Sequence, residues 1–182
     1  MLDSIGYDAR MRRTLFIGAM VICANAWASP PASPDAFERL KSLAGDWDAD
    51  LPGFGKLTNT IRLVSNGKAI EESIGTPADN EVSIYMPDEG RILLTHYCAM
   101  TADGHQVRLE TRKLTGPLTG KFDNLTFAFV DATNLHAAAA PHMRKVFLTF
   151  VDQEHFSEQW TKTEKGKDTV FDLNFARRPS KP

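Results

Sequence analysis

Residues 105–113 read His-Gln-Val-Arg-Leu-Glu-Thr-Arg-Lys. Val107, Leu109 and Thr111 fall on one parity and Arg108, Glu110 and Arg112 on the other. An apolar period of two is the mark of a strand with one dry and one wet face, because successive side chains of an extended chain point to opposite sides. The same period recurs outward from this stretch in both directions. Toward the C-terminus, Phe171, Leu173 and Phe175 alternate with Asp172 and Asn174. Strands are expected at 45–50, 56–65, 68–74, 81–86, 91–98, 105–113, 122–130, 143–151, 155–161 and 168–177. Their connectors are short and suit hairpins: Asn66-Gly67, Pro87 to Gly90, Ala102 to Gly104, Asp152 to Glu154 and Glu164 to Lys167. In 143–151 both parities are apolar, so one side is expected to pack under a helix or under the loop 131–141.

About ten short strands without interleaved helices cannot make a parallel α/β sheet; they must close or fold over to bury one face. The expected fold is therefore all-β, a single antiparallel meander barrel of about ten strands. It is preceded by one short helix that Asp35 caps and that runs through Phe37, Leu40 and Leu43 toward Gly45. Residues 35–182 form this domain. With 182 residues, 42% apolar and 24% charged, one packed core is expected, and disordered or fibrous classes are excluded. The formal charge of −2 is too balanced for a surface that tracks phosphates, so nucleic acid is excluded as a partner.

Residues 1–28 read as a signal peptide. Arg10, Arg12 and Arg13 precede an apolar run from Leu15 to Ala24, and Ala26 and Ala28 then supply a small-x-small cleavage site before Ser29. The apolar run is about ten residues, half of what a membrane-spanning helix needs, so no stable membrane anchor is expected after cleavage. Met11 offers a second start, which would leave residues 1–10 outside the protein. Ser29 to Pro34 is a flexible leader. The expected location is exported, periplasmic or extracellular. Cys23 leaves with the signal, so Cys98 stands alone in the mature chain and no internal disulfide forms.

The parity that buries the apolar residues also carries some polar ones inward. The inward sets are Leu57, Asn59, Ile61 and Leu63; Ile70, Glu72 and Ile74; Ile92, Leu94, His96 and Cys98; and Phe156, Glu158 and Trp160. Buried carboxylates are costly unless paired, so Glu72 and Glu158 in one interior call for a hydrogen-bonded network or a liganded cavity. Candidate ligand-binding residues are Asn59, Glu72, His96, Cys98, Phe156, Glu158, Trp160 and Phe171. The plainer reading of the polar members is structural hydrogen bonding, and of Cys98 a small buried hydrophobe. A charge-assisted bond between His96 and Glu72 is expected to form the polar end of the lumen. No catalytic residue and no cofactor is assigned. His96 and Cys98, two apart on one strand face, could ligate a metal, with His142 or Glu72 as the third group, but two ligands do not make a site. No nucleophile elbow and no phosphate-cradling glycine loop is present.

Gly45-Asp46-Trp47 after a short helix, opening a run of antiparallel strands, resembles the Gly-x-Trp start of the calycin superfamily: lipocalins, fatty-acid-binding proteins and nitrobindin-like haem barrels. The stretches Ala69 to Glu72, Val82 to Tyr85, Leu93 to Cys98, His142-Met143 and Trp160-Thr161 are similar to a family of small exported bacterial barrels of uncharacterised function. In that family a His-Met-His stretch stands out, and Arg144 replaces its second histidine. The last strand carries no histidine, so haem ligation of the nitrobindin type does not transfer. The resemblance implies an exported binding protein for a small apolar or amphipathic molecule held in the lumen. Two alternatives stay open, a metal- or histidine-dependent enzyme in the lumen and a filled structural barrel without ligand. A lumen above about 300 Å³ favours binding, and a solid one favours the filled module.

Overall fold

The computed structural model describes residues 36–53, 55–76, 79–88, 90–99, 104–111, 123–137 and 139–179. The expected signal peptide over 1–28, the leader over 29–34 and the capping Asp35 lie outside the described residues. One helix, α1 (Ala36–Lys41), precedes ten strands. These are β1 (Gly45–Leu51), β2 (Gly55–Val64), β3 (Ala69–Thr76), β4 (Asp79–Asp88), β5 (Arg91–Cys98), β6 (His105–Thr111), β7 (Asp123–Ala132), β8 (His142–Phe150), β9 (His155–Glu164) and β10 (Lys167–Arg177). Each strand pairs antiparallel with its sequence neighbours, and β1 pairs with β10 to close the barrel. The expected meander is the observed one.

Turn chemistry sets the register. Lys165 and Gly166 both have positive φ, 50° and 73°, and Lys167 pairs with Glu164; this is the primed two-residue turn whose twist suits a hairpin. Asp88 likewise pairs with Arg91 across a two-residue connection, which fixes Ser83 opposite His96. The closing seam is short, Trp47 with Arg177 and Asp48 with Ala176. It is extended by the Arg178 amide, which donates to the Asp46 carbonyl, and by the Arg178–Asp48 ion pair.

Ten strands enclose more space than eight, whose interior side chains just fill. The helix fills one end. Phe37, Leu40 and Leu43 join the buried cluster, and the Trp47 indole N–H donates to the Leu43 carbonyl at 2.8 Å. Trp47 meets Phe156 edge-on at 4.7 Å between centroids, and Phe156 stacks on Phe175 at 4.6 Å. Arg177 lies over the Trp47 ring at 4.0 Å and donates to the Ala44 carbonyl. This end is an aromatic plug, tied through Arg177 of β10 to the turn that follows the helix.

Three details depart from expectation. Leu63, expected inside, is 47% exposed at the end of β2, where the chain leaves the wall for the 65–67 turn. In β8 a register shift between Met143 and Lys145 buries His142 and Met143 together, and the outward Phe147 is half-buried with the Lys145 ammonium 5.9 Å from its ring; α1 packs into the barrel end instead. On β4 the apolar parity points out: Met86 is exposed and Val82 and Ile84 are half-buried, whereas Ser83 and Tyr85 are buried.

Candidate functional site

At the end opposite the helix the lumen is hollow, with a cavity of about 540 Å³. Its apolar wall includes Leu57, Ile74, Met143, Trp160, Phe171 and Leu173. Its polar groups include Thr76, Asp79, Glu81, His96, Lys162 and Glu164, most of them toward the rim. Gly75 at the rim has φ 146°, and a Cβ there would overlap the Asp79 carbonyl oxygen, so only glycine lets β4 start so close to β3.

One inward position further toward the helix, a polar belt crosses the barrel. Asn59 follows Leu57, Glu72 precedes Ile74, and Glu158 precedes Trp160 on their strands, and all three are fully buried. Glu72 accepts from Asn59 Nδ2 at 2.5 Å and from the Tyr85 hydroxyl at 2.6 Å. The Trp160 indole N–H donates to Glu158 Oε2 at 2.8 Å. Burial, and next the charge of Glu72, push the Glu158 carboxyl well above the usual glutamate range. Desolvation and a neighbouring carboxylate both disfavour the ionised form of Glu158, so it keeps its proton above the ordinary glutamate range. Burial, reinforced by the charge of Glu72, raises the Tyr85 phenol as well, which keeps it a donor. A carboxylate facing two donors and a neighbouring acid is the arrangement that makes a buried charge tolerable.

His96 belongs to a different group. Its Nδ1 lies 3.0 Å from Ser83 Oγ, its cross-strand partner, and its ring packs on Trp160 at 4.5 Å. Its Nε2 is 3.3 Å from Glu81 Oε2, yet among the described residues no group is aligned to hydrogen-bond with it. The expected bond between His96 and Glu72 is not made. The two share the interior, but Glu72 is satisfied by Asn59 and Tyr85, and His96 reaches Ser83 and Glu81.

Of the eight residues singled out from the sequence, His96, Trp160 and Phe171 line the cavity. Asn59, Glu72 and Glu158 form the belt, Phe156 belongs to the aromatic plug, and Cys98 is buried near His96 and Glu81. Sequence reasoning missed Glu81, Ser83 and Tyr85. The signal that could have found them is the Asp88–Arg91 turn: counting back from His96 across it puts Ser83 opposite and Glu81 and Tyr85 on the same face. Of the groups weighed as third metal ligand, neither joins His96 and Cys98. His142 Nδ1 sits 2.9 Å from the Ala140 carbonyl with its ring against Phe129, and Glu72 is held in the belt.

No family model matches the sequence, and no curated protein does. Among solved structures, the chain is similar to a protein of unknown function from the DUF3598 family of Nostoc punctiforme, at 10% identity and a TM-score of 0.42. The match covers 77% of this chain and 49% of that one, so the chain spans about half the length of the solved relative.

Proposed function

We propose that this barrel is an exported, calycin-type binding protein that holds one mainly apolar small molecule in the hollow end of its lumen. The observation that carries the reading is the cavity of about 540 Å³, walled by aliphatic and aromatic side chains with a few polar groups converging on it. Ligand sites are of this kind: a few hundred Å³, mostly apolar, with sparse polar groups to orient the guest. The volume argues against the filled-barrel alternative. The basic, apolar and small-residue order of residues 10–28 supports export.

The rim qualifies the guest. Asp79, Glu81 and Glu164 set three carboxylates against the single ammonium of Lys162, which itself lies 3.4 Å from Glu164. A neutral or cationic head is favoured there over a carboxylate, since desolvated like charges repel. Native mass spectrometry of the chain incubated with equimolar dodecan-1-ol, dodecylamine and dodecanoate tests this directly. The expected spectrum shows one alcohol or amine per chain, and little dodecanoate. No adduct with any probe, or a preference for dodecanoate, would overturn the reading.

A further inference from the structure

We propose that Glu81, His96 and Cys98 form a site for a single borderline-soft divalent cation such as zinc, with an open coordination position facing the cavity. This goes beyond the apolar-guest reading and does not depend on it.

The strand geometry brings the three together. His96 and Cys98 are two apart on β5 and both point inward. Glu81 precedes Val82 in β4, so one step beyond the Val82–Tyr97 pair it lies across from Cys98 and on the face of Ser83. One donor atom from each of the three lies within 4.8 Å of the others. Zinc bonds of about 2.0–2.3 Å in a tetrahedron put neighbouring ligand atoms about 3.3–3.8 Å apart. The His96–Glu81 separation of 3.3 Å already meets that, and the thiol needs to close by about 1 Å at most.

The second observation is the histidine itself. His96 is 99% shielded from solvent, and among the described residues its Nε2 has no aligned hydrogen-bond partner. If the proton is on Nδ1, it goes to Ser83, and Nε2 presents a bare lone pair 3.3 Å from a carboxylate oxygen, acceptor against acceptor. If the proton is on Nε2, it is a buried donor aimed past its neighbour. A cation between Nε2 and the carboxylate removes the conflict. Ser83 then plays the part that outer partners of metal-bound histidines play, accepting from one ring nitrogen so that the other faces the metal.

The donor set decides the class of ion. One oxygen, one imidazole nitrogen and one thiolate suit zinc and its softer neighbours, whereas calcium and magnesium need a shell of oxygens. A carboxylate and a thiolate together balance a divalent charge. Glu81 and His96 both line the cavity, so the fourth position of the ion faces it, leaving room for water or a guest. Three protein ligands and one exchangeable position is the arrangement of zinc centres that do chemistry.

Cobalt(II) titration of the full chain carrying Cys23→Ala, which leaves Cys98 as its one thiol, tests this by ultraviolet and visible absorption. The proposal expects stoichiometric uptake of one ion, a thiolate-to-cobalt charge-transfer band, and displacement by zinc. Adding Cys98→Ser should abolish the band, and Ser83→Ala should weaken binding about 10- to 100-fold. His142→Gln should leave both unchanged. X-ray absorption of the zinc-loaded Cys23→Ala protein is a readout that needs no change in the site, and should show one sulfur and one imidazole in the first shell. A band that survives Cys98→Ser, equal loss with His142→Gln, a shell without sulfur, or no uptake would each overturn the proposal.

Discussion

The two ends of the barrel are made of the same alternating strands, and they differ in what those strands turn inward. At the helix end the inward residues are Trp47, Phe150, Phe156 and Phe175, with Phe37 and Leu40 of the helix and Leu43 just after it completing the layer. Aromatic rings pack there in edge-on and stacked contact, and the Trp47 indole bonds to the Leu43 carbonyl. At the other end Trp160, Phe171 and aliphatic side chains line a space that they do not fill, with charged groups near its mouth, and the lumen opens. The polar belt of Asn59, Glu72, Tyr85 and Glu158 separates the two. One end is built for stability, and the other has been left incompletely packed, which is what a site requires.

Breaking the plug should have the largest effect. Trp47→Ala removes a ring with no exposed surface that contacts Phe156 and Arg177 and hydrogen-bonds the Leu43 carbonyl just after the helix, and should cost about 3–5 kcal/mol in urea unfolding. A loss below about 1 kcal/mol would mean that the helix does not seal this end.

In the belt, Tyr85→Phe deletes the hydroxyl that donates to Glu72 at 2.6 Å, and should cost about 1.5–3 kcal/mol. The neighbouring change Met86→Thr, on the outward face, should stay within about 0.5 kcal/mol. If the outward change costs more, the inverted parity of β4 is wrong.

Glu158 makes the belt sensitive to pH. Its carboxyl is raised in the folded state, so the folded protein keeps a proton that the unfolded chain releases. Stability must therefore fall as pH rises above the ordinary glutamate value of 4.5, by at most about 1.4 kcal/mol per unit for this one proton, until the folded group itself ionises. Glu158→Gln is close in shape to the protonated acid and can still accept from Trp160 and donate to Glu72. Denaturant unfolding from pH 4.5 upward should show the advantage of the variant over the wild type growing with pH. A constant difference would show that Glu158 titrates alike in both states.

The fold was legible because period-two burial is written on most strands, though not on β8, and the turns carry Gly or Asn at many of the positions where φ is positive. On β4 the pattern misleads. Val82, Ile84 and Met86 advertise the wrong face, because Ser83 and Tyr85 are buried for their hydrogen bonds and not for their hydrophobicity. The interior position of His96 and Glu72 could be read from parity, but their partners could not. Partner choice depends on which strands are neighbours and at what height, so Glu72 found Tyr85 on β4, and His96 found Ser83 on the same strand. Leu63 shows the limit at strand ends, where parity persists and the wall does not.

The most direct test of a solid end and a hollow end follows the two indole N–H resonances of the barrel during titration with dodecan-1-ol, using Trp27→Phe to remove the third indole. Trp160 lines the cavity and Trp47 lies in the plug. The Trp160 resonance is expected to shift and saturate while that of Trp47 stays in place. Equal movement of both, or movement of Trp47 alone, would contradict it.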